Sequence, residues 1–183
     1  MYLIILGLLK ETLLFYPLGI NILKYSSLTD ILLSPISDMI SNPILILMVV
    51  SVVVLFFLIQ VLFIRYSHTN LVQKIMKSYR MNPDLDKREL RKVMIPVFVI
   101  LAGFELLALF VGLGIGQGAK IKKKLETQTL TQNYILTSGS GEKSPVYMID
   151  INSIYYFYIK KGEKQIRIAP VGSIGNLEVI NKK

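Results

Sequence analysis

The chain has 183 residues, of which 52% are hydrophobic and 18% charged, and it carries a formal net charge of +9. Soluble domains run near about a quarter charged, so this shortfall points to membrane helices and not to one large soluble core. With no Cys, disulfide scaffolds and thiol chemistry are excluded, and the single His, His68, excludes multi-histidine metal sites and most proton relays.

The first apolar stretch is Tyr2 to Ile22. Its twelve Leu, Ile and Phe favour insertion by roughly −4 to −7 kcal/mol, while Lys10 and Glu11 cost about 5 to 7 kcal/mol if central. The sum is near zero, so this helix is expected to span only if its charges find partners. No basic segment precedes it and no small-residue cleavage site follows, so a signal peptide is not expected. The connection that follows is too apolar for a free loop. Ser26, Ser27 or Thr29 is positioned to cap a short interfacial or re-entrant helix ending before Pro35.

Ile44 to Ile64 contains only Ser51 and Gln60 as polar residues. At about 1.5 Å per residue it matches a hydrocarbon core of roughly 30 Å. Its valine-rich run must still be helical, because a backbone in lipid has to satisfy its own hydrogen bonds. Arg65 and Tyr66 close it as interfacial anchors. Val93 to Ile115 is the third expected span. Its fifteen Leu, Ile, Val and Phe outweigh the one central acid, Glu105.

Loop charge sets the orientation. Residues 24–42 carry one base, Lys24, whereas the second connection carries eight: Arg65, Lys74, Lys77, Arg80, Lys87, Arg88, Arg91 and Lys92. The basic loop, residues 65–92, is therefore expected in the cytoplasm, and with three spans the N-terminus lies there too and the tail outside. Lys120, Lys122, Lys123 and Lys124 after the third span pull the other way. Within the loop, Thr69 to Met81 reads as an amphipathic helix on an anionic surface, with Leu71, Val72, Ile75, Met76 and Tyr79 on one face. Asn82-Pro83-Asp84 breaks it, and Asp86 with Glu89 forms a capping-box pattern.

From Thr127 the period becomes strand-like. Thr129–Thr137, Val146–Ile151, Ser153–Lys160, Gln165–Ala169 and Leu177–Ile180 are candidate strands, with Lys161-Gly162-Glu163 as a tight turn. The expected architecture is thus a helical membrane region, 1–116, with three spans, a linker at 117–126, and a small all-β module at 127–183, an SH3-like or Sm-like barrel or sandwich. In Tyr155-Tyr156-Phe157-Tyr158, alternation separates Tyr155 and Phe157 from Tyr156 and Tyr158. One pair should fill the core. Tyr156 and Tyr158, with Lys160, Lys161 and Arg167, form the candidate binding surface.

Two further constellations stand out. Lys10 and Glu105 would each be stranded at bilayer depth, so an intramembrane pair is expected. Ala108, Gly112 and Gly116 repeat every four residues and suit close helix packing or self-association. Gly139-Ser-Gly-Glu-Lys-Ser144 lacks the order of a phosphate loop, and the carboxylates are too scattered for acid–base work. No enzyme activity, cofactor or metal is expected.

The layout resembles a loose group of small bacterial inner-membrane proteins. The residues that carry this are Gly19-Ile-Asn-Ile22, Tyr25 and Leu28-Thr-Asp-Ile-Leu-Leu33, then Tyr155–Tyr158, Ile168-Ala-Pro170 and Ile174. The resemblance implies a multi-pass inner-membrane protein and brings no catalytic residues. The expected role is interaction, through the β-module or the helices, with a protein partner at the inner membrane, of an immunity, antagonist or scaffold type. The alternatives are a ligand-gated effector that permeabilises the membrane, with the β-module as sensor, and a basic tail binding lipid headgroups or, less expected, nucleic acid.

Overall fold

The computed structural model describes residues 1–78 and 86–180. They divide into two compact units: Asp38–Leu109, and Met1–Ser37 with the chain from Phe110 onward.

The first of these holds α3 (Pro43–Arg65), α4 (Asn70–Ser78) and the first part of α5 (Lys87–Glu126). Pro43 opens α3 at a position where a missing N–H costs nothing. The most apolar window of α3 has a mean hydropathy of 3.2, yet only 6% of it is buried. Apart from Leu45 and Ile64, its large apolar side chains are mostly exposed, as lipid-facing residues are. Asp86 caps α5 by accepting the Lys87 N–H at 2.8 Å. Val72 and Met76 of α4 pack with Ile64, Leu90 and Met94, while Leu71 and Ile75 stay exposed. The apolar face expected for this helix is therefore split, half in protein and half uncovered. Tyr79, Arg80 and the breaker Asn82-Pro83-Asp84 lie outside the described residues.

The second unit begins with α1 (Tyr2–Phe15) and, after two short 3-10 turns, α2 (Leu28–Ser41). Fourteen residues make α1 about 21 Å long, short of the roughly 30 Å of a span. Among the described residues two helices, α3 and α5, are long and apolar enough to cross a membrane, and α1 is not one of them. α2 does not stop before Pro35 but runs through it. A proline leaves the carbonyl four residues back without its helical N–H, here Ile31. That carbonyl lies against Gly7 of α1, where any Cβ would clash with it.

α5 continues without a break to Glu126, so residues 117–126 are helix and not linker. It ends in paired bonds from Gln128 N to Leu125 O and from Thr129 N to Lys124 O, with Gln128 left-handed at φ 55°. This is a Schellman stop that usually employs glycine.

A five-stranded antiparallel sheet follows: β1 (Tyr134–Ser138), β2 (Lys143–Ile151), β3 (Tyr155–Lys160), β4 (Arg167–Pro170) and β5 (Ile174–Val179), in the order β4-β3-β2-β1-β5. Gly162, at φ 81°, supplies the left-handed residue in the β3–β4 connection. Register shifts at Thr137/Ser138 and Met148/Asp150 interrupt the ladders. Such irregularities increase local twist.

Candidate functional site

Each face of the sheet carries an apolar cluster. One face carries Leu136, Val146, Met148 and Tyr158, with Tyr134, Tyr156 and Leu177 around them. The other carries Phe157 and Tyr155, which pack with Leu14, Phe15, Ile22 and Tyr25 from the N-terminal segment. The Phe15 and Phe157 rings stand 4.9 Å apart, and Tyr25 meets Tyr155 edge-on at 5.5 Å. The alternation expected of Tyr155–Tyr158 holds, but the expected exposed pair does not. Tyr158 is core and Tyr156 half-buried, because they pack with Leu136, Val146 and Met148 of the neighbouring strands, while the N-terminal segment covers the Tyr155 and Phe157 face.

Hydrogen bonds lock the same junction. Ser27 and Asp30 form a reciprocal cap on α2: Asp30 Oδ2 accepts from Ser27 N and Oγ, and Asp30 N donates to Ser27 Oγ. The Asp30 carboxylate also accepts from Ser153 N at 3.0 Å and Ser153 Oγ at 2.9 Å. Asn152 organises the β2–β3 turn by accepting from the Ile154 and Tyr155 amides, and its Nδ2 donates to Tyr25 O at 3.1 Å. Burial pushes the Asp30 carboxyl up, but the bonds from Ser27 and Ser153 outweigh it and hold the group below its ordinary value. Two segments that carried the sequence resemblance thus meet in space. Their mutual contact had no sequence signal beyond an apolar composition.

The expected cationic surface is largely paired. Lys160 meets Glu142 at 3.3 Å. Arg167 grips Glu163 with two bonds of 2.8 and 2.9 Å, which lowers the Glu163 carboxyl and raises the guanidinium. Beside them, a cavity of about 300 Å³ lies between the end of α5 and strands β2 and β3. Leu125, Gln128, Gln132, Tyr147, Ile159 and the exposed Lys161 line it. Burial pushes the Tyr147 hydroxyl up. Lys160 and Lys161 of its lining belong to the candidate surface read from the sequence, whereas the cavity itself needs three separate stretches of chain, 125–132, 147 and 159–163, to meet.

The buried charges lie on α1. Lys10 and Glu11 are 5% and 6% exposed and pair at 2.8 Å, and Lys10 also reaches Ser34 Oγ at 3.4 Å. Ser34 Oγ donates to Glu11 Oε1, and Glu11 Oε2 has no hydrogen-bond partner. Glu105 is exposed and makes no ion pair among the described residues. The expected Lys10–Glu105 pair is therefore replaced by one between chain neighbours. α1 runs parallel to the end of α5: a Cβ on Gly114 would stand 2.5 Å from Lys10 O, and one on Gly118 would clash with Leu14 O. Gly112 and Gly116, the expected packing positions, face open space, and Ala108 is exposed. The four-residue repeat is real, but the face that uses it is turned by two residues.

Of the expected membrane-surface bases, Lys74, Lys77, Lys87, Arg88 and Arg91 are exposed, and Lys92 pairs with Glu89 at 2.8 Å. Arg80 lies outside the described residues. Comparison of the chain with family models, curated proteins and solved structures finds no match.

Proposed function

We propose that this is a non-enzymatic, multi-pass membrane protein that presents its β-module to a protein partner on the face opposite its basic loop. The sequence resemblance suggests a bacterial inner membrane as its place. If α3 and α5 each cross once, the chain before α3 and the chain after α5 emerge on one side, whatever α1 does. The observation that carries the reading is the Asp30–Ser153 and Asn152–Tyr25 junction, which requires that same side for both segments. In this reading the basic loop faces the cytoplasm and the module lies outside. Lys10 is level with Gly114, near the end of the apolar run, so its pair sits close to the outer surface and not at mid-depth. α1 is then a partial-depth helix that braces the module.

The strand order, with β5 returning beside β1, is what a small five-stranded barrel needs, and we read the sheet as one. The partner is expected to insert a side chain into the cavity beside Tyr147 and Lys161. A second reading has a specific observation behind it: the same cavity touches both the end of α5 and the sheet, as a ligand sensor would. The paired state of Lys160 and Arg167 counts against a nucleic-acid surface.

A photo-cross-linking residue at Lys161 tests the reading, with one at Leu47 on the exposed face of α3 as control, in cells that carry a periplasm-active reporter after Lys183. A protein adduct at 161, none at 47, and an active reporter are expected. An inactive reporter overturns the orientation. An active reporter with no protein adduct at 161 overturns the partner and favours the ligand sensor.

A further inference from the structure

We infer that a groove between α3 and the start of α5 holds one anionic phospholipid, its phosphate on Arg91 and its glycerol-ester region on Gln60. The inference rests on reading α3 and α5 as membrane spans. The groove has a volume of about 310 Å³ and is lined by Phe57, Gln60, Val61, Ile64, Arg91 and Ile95. Four of these six are apolar, and the two polar ones make no hydrogen bond or ion pair among the described residues.

That pairing of features asks for an explanation. An amide inside an apolar helix costs free energy unless something bonds to it. Gln60 is five residues before the end of α3, roughly 7 Å along the helix axis. It is therefore expected just below the headgroups, at the depth of ester carbonyls, which accept from its NH₂ group. Arg91 precedes the apolar run of α5 and belongs at phosphate level, where its planar fork matches two phosphate oxygens. Phe57, Val61 and Ile95 are partly exposed and offer an acyl chain a track away from both polar groups. Polar headgroup, ester and chain contacts thus follow one another in the order a phospholipid requires. Lys87 and Arg88, exposed on the same end of α5, add to the positive field there.

The chain contains no Trp, so a single Trp becomes a clean reporter. The full-length F57W variant is reconstituted into mixed bilayers in which either phosphatidylglycerol or phosphatidylcholine carries brominated acyl chains that quench Trp. V50W, elsewhere on the exposed face of α3, is the control, and V61W replaces F57W if the latter fails to fold. Quenching at 57 is expected to favour the brominated anionic lipid about fivefold in relative binding constant, the factor that about 1 kcal/mol per basic residue provides. The R91Q substitution should abolish that preference, while V50W shows none. Equal quenching of F57W by both lipids overturns the inference, as does a preference that survives R91Q. Loss of quenching at 50 and 57 alike instead overturns the membrane reading beneath it.

Discussion

The helices of the two units bury opposite things. In Asp38–Leu109, α3 turns its Leu, Val, Ile and Phe outward and carries no acid or base before Arg65. In the unit containing Met1–Ser37, α1 turns its charges inward: Leu6, Lys10 and Leu14, with Gly7, Glu11 and Phe15, form the covered face. With α3 read as a membrane span, as proposed above, the difference follows from what drives packing where lipid is as apolar as leucine. Large apolar side chains gain nothing by leaving lipid, whereas small residues and polar pairs gain contact and hydrogen bonds by meeting protein. On α1 the covered face thus joins Gly7 and the Lys10–Glu11 pair to Leu6, Leu14 and Phe15, whereas most large apolar side chains of α3 are uncovered.

The sharpest way to break that comparison is to strand one buried charge. Lys10→Met leaves Glu11 without its ammonium partner, and a loss of about 3–5 kcal/mol is expected. The double variant Lys10→Met/Glu11→Leu should recover most of it, since a well-packed apolar pair replaces an ionic one at little cost. Glu105→Gln, at an exposed acid, should move stability by no more than about 0.5 kcal/mol. Detergent-titrated unfolding of the four proteins measures this. A Lys10→Met variant as stable as the parent would mean that the pair is solvated and the inward face of α1 is not an interior.

A smaller effect separates the glycines. Gly118→Ala should cost about 1–3 kcal/mol, because its methyl group would meet Leu14 O and stand 2.6 Å from Pro17 Cγ. Gly116→Ala, in open space, should instead stabilise by up to about 1 kcal/mol through helix propensity. The same unfolding assay decides, and equal effects at 116 and 118 would remove the close α1–α5 approach.

These two residues also show how far the sequence could be read. The repeat of small residues announces close packing, but period alone cannot choose between two glycine rows on one helix. That choice needs the partner helix, α1, whose insertion balance was near zero in the sequence. Its helical length is set by Pro17 and the 3-10 turn at Tyr16–Leu18, which no apolar count includes. α3, α5 and the five strands were legible because each depends on local pattern. The Asn152–Tyr25 bond spans 127 positions in sequence and was not, since a lone Asn announces only a turn. The groove on Gln60 and Arg91 was half legible: Gln60 was visible as a polar residue in an apolar run and Arg91 as one of eight loop bases, and their convergence was not.

A modest effect belongs to the junction between the N-terminal segment and the β2–β3 turn. Asp30→Asn keeps the size of the side chain but removes the charge that accepts from Ser27 and Ser153, and about 1–2 kcal/mol should be lost near neutral pH. The pH dependence separates charge from shape. The Asp30 carboxyl titrates below its ordinary value of 3.8 in the folded protein, so the unfolded chain binds its proton first as pH falls. Its stabilisation is complete above the unfolded value and is lost as pH drops through the folded one. The stability gap between the parent and Asp30→Asn should therefore be constant above about pH 5 and close progressively below pH 3.8. Paired thermal unfolding of the two proteins across that range reads it directly. A gap that persists at the acid end would mean that the geometry of the cap, and not the carboxylate charge, ties the N-terminal segment to the β2–β3 turn.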